Sequence, residues 1–290
     1  MMDHRTPQFR AHGFTSHCGR LRLFARDYGG DGPPLLLMHG LTRNSADFEP
    51  LVPHLAGDYR LIVPDQRGRG LSDADPDPAN YRPDIYAQDM FALLDSLGID
   101  RVSLIGTSMG GLMAMVMAAL QPDRIGTVVL NDVGPVLDPA GLARIGSYVG
   151  AAGPFADWQE AAAQTAAING SAFPGFTEGD WLAFARRTCR ETADGRVAFA
   201  YDPAIAAGFA DAPAEQPDLW PLWAALSDKP VLVIRGALSD LLAPETVTRM
   251  AQDHAGPFAT CEVPDRGHAP LLDEPDAVTA ILSFLKRHRA

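Results

Sequence analysis

The stretch Gly106-Thr107-Ser108-Met109-Gly110 follows a short apolar run that ends at Ile105 and opens a longer apolar run that extends to Leu120. A strand–turn–helix of this kind forces its central serine into a strained backbone conformation, which lifts the hydroxyl above the edge of a sheet. Side chains two residues before and after the serine would collide in so tight a turn, and both positions are glycine. The stretch therefore predicts that Ser108 is a nucleophile.

Short apolar segments alternate with longer amphipathic ones on both sides of this turn. The short segments are rich in leucine or β-branched residues, which is typical of buried parallel strands. The predicted strands are residues 35–38, 61–63, 102–105, 128–130, 231–234 and 258–263. The predicted helices are residues 45–55, 84–97, 109–120, 244–254 and 275–289. The alternation predicts an α/β fold with a mostly parallel sheet and helices on both faces, and residues 13–17 and 21–27 predict an antiparallel edge hairpin.

The alternation is interrupted over about 80 residues, where the sequence is rich in alanine and carries aromatic residues within helical patterns. We interpret residues 137–216 as a helical cap domain without strands. The strand–helix alternation resumes after this segment, so the core domain is predicted to be discontinuous and to comprise residues 1–136 and 217–290. An insertion of this kind is expected to lie across the carboxyl edge of the sheet and to cover the pocket.

The bulk properties restrict the possible partners. The chain has 290 residues, of which 47% are hydrophobic, and its net charge of -12 disfavours a nucleic-acid partner. No apolar run approaches the length of about 18 residues that a membrane span needs, and the first residues lack the apolar segment of a signal peptide. The three cysteines are dispersed and predict neither disulfides nor a zinc site. We expect a cytoplasmic protein with no membrane partner, and its oligomeric state stays open.

A serine hydroxyl is a weak nucleophile near neutral pH and needs a base that takes its proton. Among the eight histidines, His268 is best placed, because it follows a predicted strand and a short loop and precedes the final helix. His39 lies beside the loop that follows the strand 35–38, and it is predicted to support that loop by hydrogen bonding.

The histidine in turn needs a carboxylate that fixes its tautomer and stabilises the imidazolium. We predict that this acid is Asp240, which lies a few residues beyond the strand 231–234. The chain order serine, aspartate, histidine is the expected one for a nucleophile in such a turn. Asp132 is an alternative because it directly follows the strand 128–130, whereas Asp65 follows the strand 61–63 in a neighbourhood that resembles a turn support.

Two backbone amides are predicted to form an oxyanion hole. Leu41 follows the strand 35–38 and His39-Gly40, so its N–H is placed to face the nucleophile. The N–H of Met109 lies at the start of a helix, where the helix dipole favours negative charge.

The side chains that contact substrate are harder to predict. Arg43 and Asn44 lie beside the oxyanion loop and are candidates for a polar contact, although a role in stabilising the loop is favoured for both. Within the cap, Trp158, Trp181 and Phe184 are the candidate aromatic contacts, and two or three cap aromatics are expected to reach substrate.

Five motifs in order along the chain resemble those of α/β-hydrolase-fold enzymes with a helical cap. The motifs are His39-Gly40-Leu41, Asp65-Gln66-Arg67-Gly68-Arg69-Gly70-Leu71-Ser72, Gly106-Thr107-Ser108-Met109-Gly110-Gly111, Gly236-Ala237-Leu238-Ser239-Asp240 and Gly267-His268-Ala269-Pro270. The resemblance implies an eight-stranded sheet, a small-molecule substrate, and neither a metal nor an organic cofactor. It also implies a two-step reaction, in which an acyl group is transferred to Ser108 and then to water.

Within that family, Ser108 excludes the enzymes that use an aspartate at this position, namely epoxide hydrolases and haloalkane dehalogenases. We predict a hydrolase of carboxylic esters or lactones that acts on a small to medium, largely apolar substrate. A serine-dependent hydrolase of carbon–carbon bonds in ring-cleavage products is an alternative, although many of those carry a tryptophan where this chain has Ala269. A second alternative is a ligand receptor that retains the triad and turns over slowly.

Overall fold

The computed structural model describes residues 7–150, 153–210 and 216–289, which contain ten strands and ten α-helices. The strands are β1 (Arg10–Thr15), β2 (Arg22–Asp27), β3 (Pro34–Met38), β4 (Arg60–Asp65), β5 (Val102–Thr107), β6 (Ile125–Asn131), β7 (Cys189–Glu191), β8 (Val197–Phe199), β9 (Val231–Gly236) and β10 (Phe258–Val263). The helices are α1 (Val52–Leu55), α2 (Pro83–Ser96), α3 (Met109–Leu120), α4 (Pro139–Tyr148), α5 (Trp158–Asn169), α6 (Glu178–Thr188), α7 (Ala207–Ala210), α8 (Trp220–Ala224), α9 (Pro244–Gln252) and α10 (Pro275–Arg287). None of the helices in these ranges is long and apolar enough to cross a membrane.

Eight strands form one sheet in the order β1-β2-β4-β3-β5-β6-β9-β10. All pairs from β4 to β10 are parallel, whereas β1 pairs with β2 and β2 pairs with β4 in the antiparallel direction. The predicted α/β fold with an edge hairpin is therefore confirmed. Because parallel strands share one carboxyl edge, the residues that follow β3, β5, β6 and β9 meet there.

Alternate residues of the central strands face two separate hydrophobic cores. In β3, Leu36 and Met38 join the core covered by α2 and α3, while Leu35 and Leu37 join the core covered by α1 and α10. All four side chains are fully buried. This burial on both faces explains why the strands are continuous apolar runs rather than alternating ones.

The segment 137–216, called the cap segment below, was predicted to lack strands, and that prediction is wrong. The strands β7 and β8 form a separate antiparallel hairpin in this segment. Its turn contains Asp194-Gly195, and the positive φ of 78° at Gly195 suits glycine. An Asp-Gly pair is a hairpin signal that the helical interpretation overlooked.

The predicted helix over residues 45–55 is also wrong, because the chain forms two short pieces there. A 3-10 turn covers Ser45–Phe48, and α1 begins at Val52. Pro50 lies between the two pieces, and since proline has no N–H to donate, it interrupts the helical hydrogen bonding.

A buried ion cluster fixes the loop after β4 against α2. The Arg67 side chain is 1% exposed, and its Nε and Nη2 each donate to the Asp89 carboxylate at 2.8 Å. Its Nη1 donates to Asp75, whose side chain is also 1% exposed. Asp89 additionally accepts a hydrogen bond from the backbone N–H of His17. The cluster thus joins the loop after β4 to α2 and, through Asp89, to the turn that follows β1.

We expect Arg67→Met to lower the free energy of unfolding by about 3–5 kcal/mol, because it leaves two buried carboxylates without their cation. The matched control is Arg82→Met, since the side chains of the Arg82–Asp84 pair are 62% and 43% exposed. A pair so exposed contributes at most about 1 kcal/mol. Urea unfolding of both variants measures the difference, and equal losses would contradict this role for the cluster.

Candidate active site

Ser108 occupies a strained turn between β5 and α3. Its φ of 52° and ψ of -115° lie outside the regions that non-glycine residues ordinarily adopt. A Cβ at Gly106 would collide with the backbone of Gly110, and a Cβ at Gly110 would collide with the carbonyl oxygen of Met38 on the neighbouring strand. The two glycines are therefore required by close backbone contacts, as the sequence predicted.

His268 connects Ser108 to a buried carboxylate. Ser108 Oγ lies 2.8 Å from His268 Nε2, and His268 Nδ1 lies 2.8 Å from Oδ2 of Asp132. Asp132 is fully buried. Because a carboxylate can only accept, Nδ1 carries the proton, and Nε2 is left to accept the proton of the serine hydroxyl. The geometry is that of a nucleophile, a base and an orienting acid.

The prediction that Asp240 contacts His268 is wrong. The Asp240 carboxylate instead accepts two hydrogen bonds from Nε and Nη2 of Arg144 in α4, the second at 2.8 Å. The same guanidinium holds the pKa of the Asp240 carboxyl below its usual range. The alternative weighed from the sequence, Asp132, occupies the position of the acid.

The end of β9 and the loop after it supply donors to Asp132 instead of supplying the acid itself. The backbone N–H of Gly236 donates to Oδ1 of Asp132 at 2.8 Å, and the hydroxyl of Ser239 donates to Oδ2 at 2.6 Å. Together with His268, three donors satisfy a carboxylate that has no contact with solvent. The Gly236-Ala237-Leu238-Ser239-Asp240 motif therefore belongs to the site, although through different atoms than predicted.

The two residues that carry the predicted oxyanion donors lie beside Ser108. Leu41 and Met109 both line cavities that include Ser108. Met109 is the first residue of α3, so its N–H has no acceptor within the helix. The carbonyl oxygen of Leu41 accepts a hydrogen bond from Arg69 Nε at 2.9 Å, which holds the loop that carries the second donor.

His39 determines how the peptide group between Gly40 and Leu41 is oriented. The N–H of Gln66 donates to His39 Nε2, so His39 Nδ1 carries a proton, which it donates to the Gly40 carbonyl oxygen at 2.7 Å. Because a peptide group is planar, holding that oxygen also fixes the N–H of Leu41. Burial lowers the pKa of His39 to about 3, so the ring is neutral and keeps this tautomer.

An apolar cavity of about 190 Å³ adjoins Ser108 on the side of Met109. We call it the apolar chamber. Its wall includes Leu112 of α3 and Leu142 of α4, together with Val133, Leu137 and Leu241.

A second, more polar space adjoins Ser108 on the side of His268. It consists of two adjoining cavities that share Thr42, Arg43, Tyr148 and Asn169, and we call it the polar chamber. His268 and Ala269 line it as well. Ile145 of α4 borders both chambers beside the serine.

The two polar candidates beside the oxyanion loop have different places. Arg43 lines the polar chamber. Asn44 caps the 3-10 turn, because its side-chain oxygen accepts from the N–H of Ala46, and its side-chain NH₂ donates to the carbonyl oxygen of Arg187 in α6 at 2.8 Å. The role in stabilising the loop that was favoured for Asn44 agrees with these contacts, which also join the cap segment to the core.

Of the three aromatic candidates, one lines a chamber beside Ser108 and two pack within the cap segment. Phe184 lines the polar chamber. Trp158 donates to Glu191 and stacks under Arg186, and Trp181 packs among the other aromatic side chains of the cap segment. Neither tryptophan lines a chamber beside Ser108 in the described ranges, because both are occupied in holding the cap segment together.

Sequence reasoning missed the contribution of α4. Leu142, Ile145 and Tyr148 all face the chambers, and they repeat every three residues. That spacing places them on one side of a helix, and it was available in the sequence. Asn169, at the end of α5, had no comparable signal.

Comparison with known proteins identifies the family of the fold. Residues 33–275 match the model of the α/β hydrolase fold, and the chain belongs to that family. It is 36% identical to the 3-hydroxybutyrate-oligomer hydrolase of Cupriavidus necator over 93% of this chain and 94% of that protein.

Solved structures are similar along the whole chain. The crystal structure of an α/β hydrolase from Novosphingobium aromaticivorans has a TM-score of 0.90 and 44% identity, and covers 98% of this chain and 100% of that one. The crystal structure of E-2-(acetamidomethylene)succinate hydrolase has a TM-score of 0.81 and 27% identity, and covers 96% of this chain and 99% of that one. This chain is accordingly a hydrolase of the α/β fold family.

We expect Asp132→Asn to lower kcat by about 10⁴-fold, because an amide cannot stabilise the imidazolium or hold the correct histidine tautomer. Asp240→Asn is the matched control, and its effect should be far smaller because it only weakens the ion pair with Arg144. Steady-state hydrolysis by both purified variants measures the difference. If Asp240→Asn proved the more damaging change, the acid would have to be reassigned.

Proposed function

We propose that this protein is a serine hydrolase of carboxylic esters, with lactones as cyclic members of the same substrate class. The observation that carries the proposal is the hydrogen-bonded series from Ser108 Oγ through His268 to Asp132, with both distances at 2.8 Å. This geometry supplies a base to the hydroxyl and a fixed tautomer to the base, as nucleophilic acyl transfer requires.

In the proposed first step, Ser108 Oγ attacks the ester carbon as its proton passes to His268 Nε2. The carbonyl oxygen becomes an oxyanion that accepts from the N–H groups of Leu41 and Met109. His268 then returns the proton to the leaving alcohol, and an acyl group remains on Ser108. In the second step, His268 takes a proton from water as the water oxygen attacks the acyl carbon. The bond between that carbon and Ser108 Oγ then breaks, His268 returns the proton to Oγ, and the acid is released.

The comparisons support an ester as the scissile bond. A relative that matches nearly the whole chain is named as a hydrolase of 3-hydroxybutyrate oligomers. Units of a hydroxy acid are joined through their hydroxyl and carboxyl groups, and the bond so formed is an ester. An E-2-(acetamidomethylene)succinate hydrolase, in contrast, shares the fold at lower identity.

We also propose that the cap segment covers the site and sets substrate range without taking part in bond making. Ile145 and Tyr148 of α4 border the space beside Ser108, whereas Ser108, His268 and Asp132 all lie outside the segment. The paired Arg144 and Asp240 hold α4 to the loop after β9 and so support that covering position.

We expect Ser108→Ala to abolish hydrolysis of short aryl and alkyl esters, with a loss of about 10⁴-fold or more, because members of a triad act as a unit. Labelling by a fluorophosphonate probe should disappear in the same variant. Ser96→Ala, at the end of α2, is the control and should retain both.

Three other outcomes would point elsewhere. Retention of more than about a tenth of the activity by Ser108→Ala would remove this serine from the nucleophile's role. A stoichiometric burst with little turnover would favour a slow receptor. Turnover of carbon–carbon ring-cleavage products in preference to esters would favour the second enzymatic alternative.

A further inference from the structure

The position of His268 indicates which part of an ester lies in each of the two chambers. The base that accepts the serine proton must pass it to the leaving oxygen, so that oxygen lies within hydrogen-bonding reach of His268 Nε2. His268 lines the polar chamber, whereas the described lining of the apolar chamber includes Met109 and not His268. The leaving alcohol therefore extends into the polar chamber, and the acyl chain extends into the apolar one.

Arg43 is the cation of the polar chamber that is most open to a ligand. Its Nη1 donates to Asp47 at 2.7 Å, and its guanidinium lies 4.1 Å from the centre of the Phe184 ring. These two contacts fix the plane of the group. Within the described part of the chain, Nε and Nη2 make no hydrogen bond, and together they form the edge that binds a carboxylate with two parallel bonds.

Arg43 is the only arginine or lysine that lines this chamber in the described ranges. Asp47 lies on the same wall and offsets part of the charge of Arg43. Arg144 donates from both Nε and Nη2 to Asp240, so the edge that could bind a ligand carboxylate with two hydrogen bonds is already occupied. The Nε–Nη2 edge of Arg43, whose side chain is 14% exposed, is thus an uncommitted cationic group in the lining of this chamber.

On this basis, and resting on the proposed ester hydrolysis, the geometry points to a substrate class. We infer that the preferred substrates are esters of an apolar acyl group with a hydroxy acid, and that Arg43 binds the free carboxylate of the leaving hydroxy acid. The bond that breaks joins the acyl carbon to the hydroxyl oxygen of that acid. His268 protonates this oxygen, so a hydroxy carboxylate is released and the acyl group remains on Ser108.

The test compares butanoyl esters of glycolic, 3-hydroxypropanoic and 4-hydroxybutanoic acids with the corresponding primary amides, which have the same shape and no charge. For the chain length that fits, we expect kcat/KM of the wild type to favour the acid by about 10-fold or more. Arg43→Met should reduce the ratio to about one. Since each ratio is measured within one variant, partial loss of folded enzyme does not affect it.

Two further variants distinguish specific recognition from general charge. Arg43→Lys retains the positive charge but loses the pair of parallel N–H donors. Its ratio of kcat/KM for the acid to kcat/KM for the amide should therefore fall between those of the wild type and Arg43→Met. Arg186→Met removes the same charge from α6, where the guanidinium lies over Trp158 outside the chambers, and should retain the wild-type ratio. Equal reduction by Arg186→Met would overturn a specific role for Arg43.

The outcomes separate this inference from the proposed function. If the wild type hydrolyses neutral esters and shows no preference for the acids, the inference fails and ester hydrolysis stands. If it hydrolyses no ester, the proposed function itself fails. A preference for ethyl hydrogen succinate over ethyl butanoate would place the carboxylate on the acyl side and would also overturn the inference.

The acyl side has its own test. We expect Leu112→Trp, which fills the apolar chamber, to lower kcat/KM for ethyl hexanoate about 10-fold more than for its isomer hexyl acetate. Leu120→Trp is the matched control, because Leu120 lies at the end of the same helix and is 52% exposed. A larger loss for hexyl acetate would mean that the alcohol occupies this chamber.

Discussion

The parallel pairing of β5 with β6 is the constraint on which the site depends. Thr107 and Asn131 are paired residues at the carboxyl ends of these strands, and Ser108 and Asp132 directly follow them. The N–H of Ser108 donates to the carbonyl oxygen of Asn131 at 2.9 Å, so the ladder continues to the nucleophile itself. Both Ser108 and Asp132 then leave the sheet with positive φ, at 52° and 56°. The nucleophile and the acid are thus held by one pair of adjacent strands.

The other polar groups of the site form hydrogen bonds with Ser108 and Asp132. His268 is held between Ser108 and Asp132, and the last residue of β9 and the loop after it supply the two other donors to the buried carboxylate. A buried carboxylate with three donors is well solvated by the protein and has no need of water. If His268 instead contacted Asp240, Asp132 would lose one of its three donors, and Asp240 would have to leave Arg144, which holds α4 to the core.

The cap segment gives the site its shape rather than its reactive groups. Its helix α4 contributes Ile145, which borders both chambers, and Tyr148, which borders the polar one. The ion pair between Arg144 and Asp240 fixes that helix to the core. The structure thus divides the space beside Ser108 into an apolar and a more polar part.

The sequence by itself determined the sheet and the strained turn at Ser108, and it indicated that His268 is the histidine that meets this serine. Buried parallel strands and close-packed glycines are local requirements that leave a local pattern. Only the tertiary structure decided between Asp132 and Asp240, because both follow adjacent strands at one sheet edge and the choice depends on which carboxylate meets Arg144. It also decided that Phe184 lines the site while Trp158 and Trp181 pack the cap segment. All three are aromatic residues in helical patterns, and which of them faces the pocket depends on how the cap helices pack, a property of contacts between elements distant in sequence.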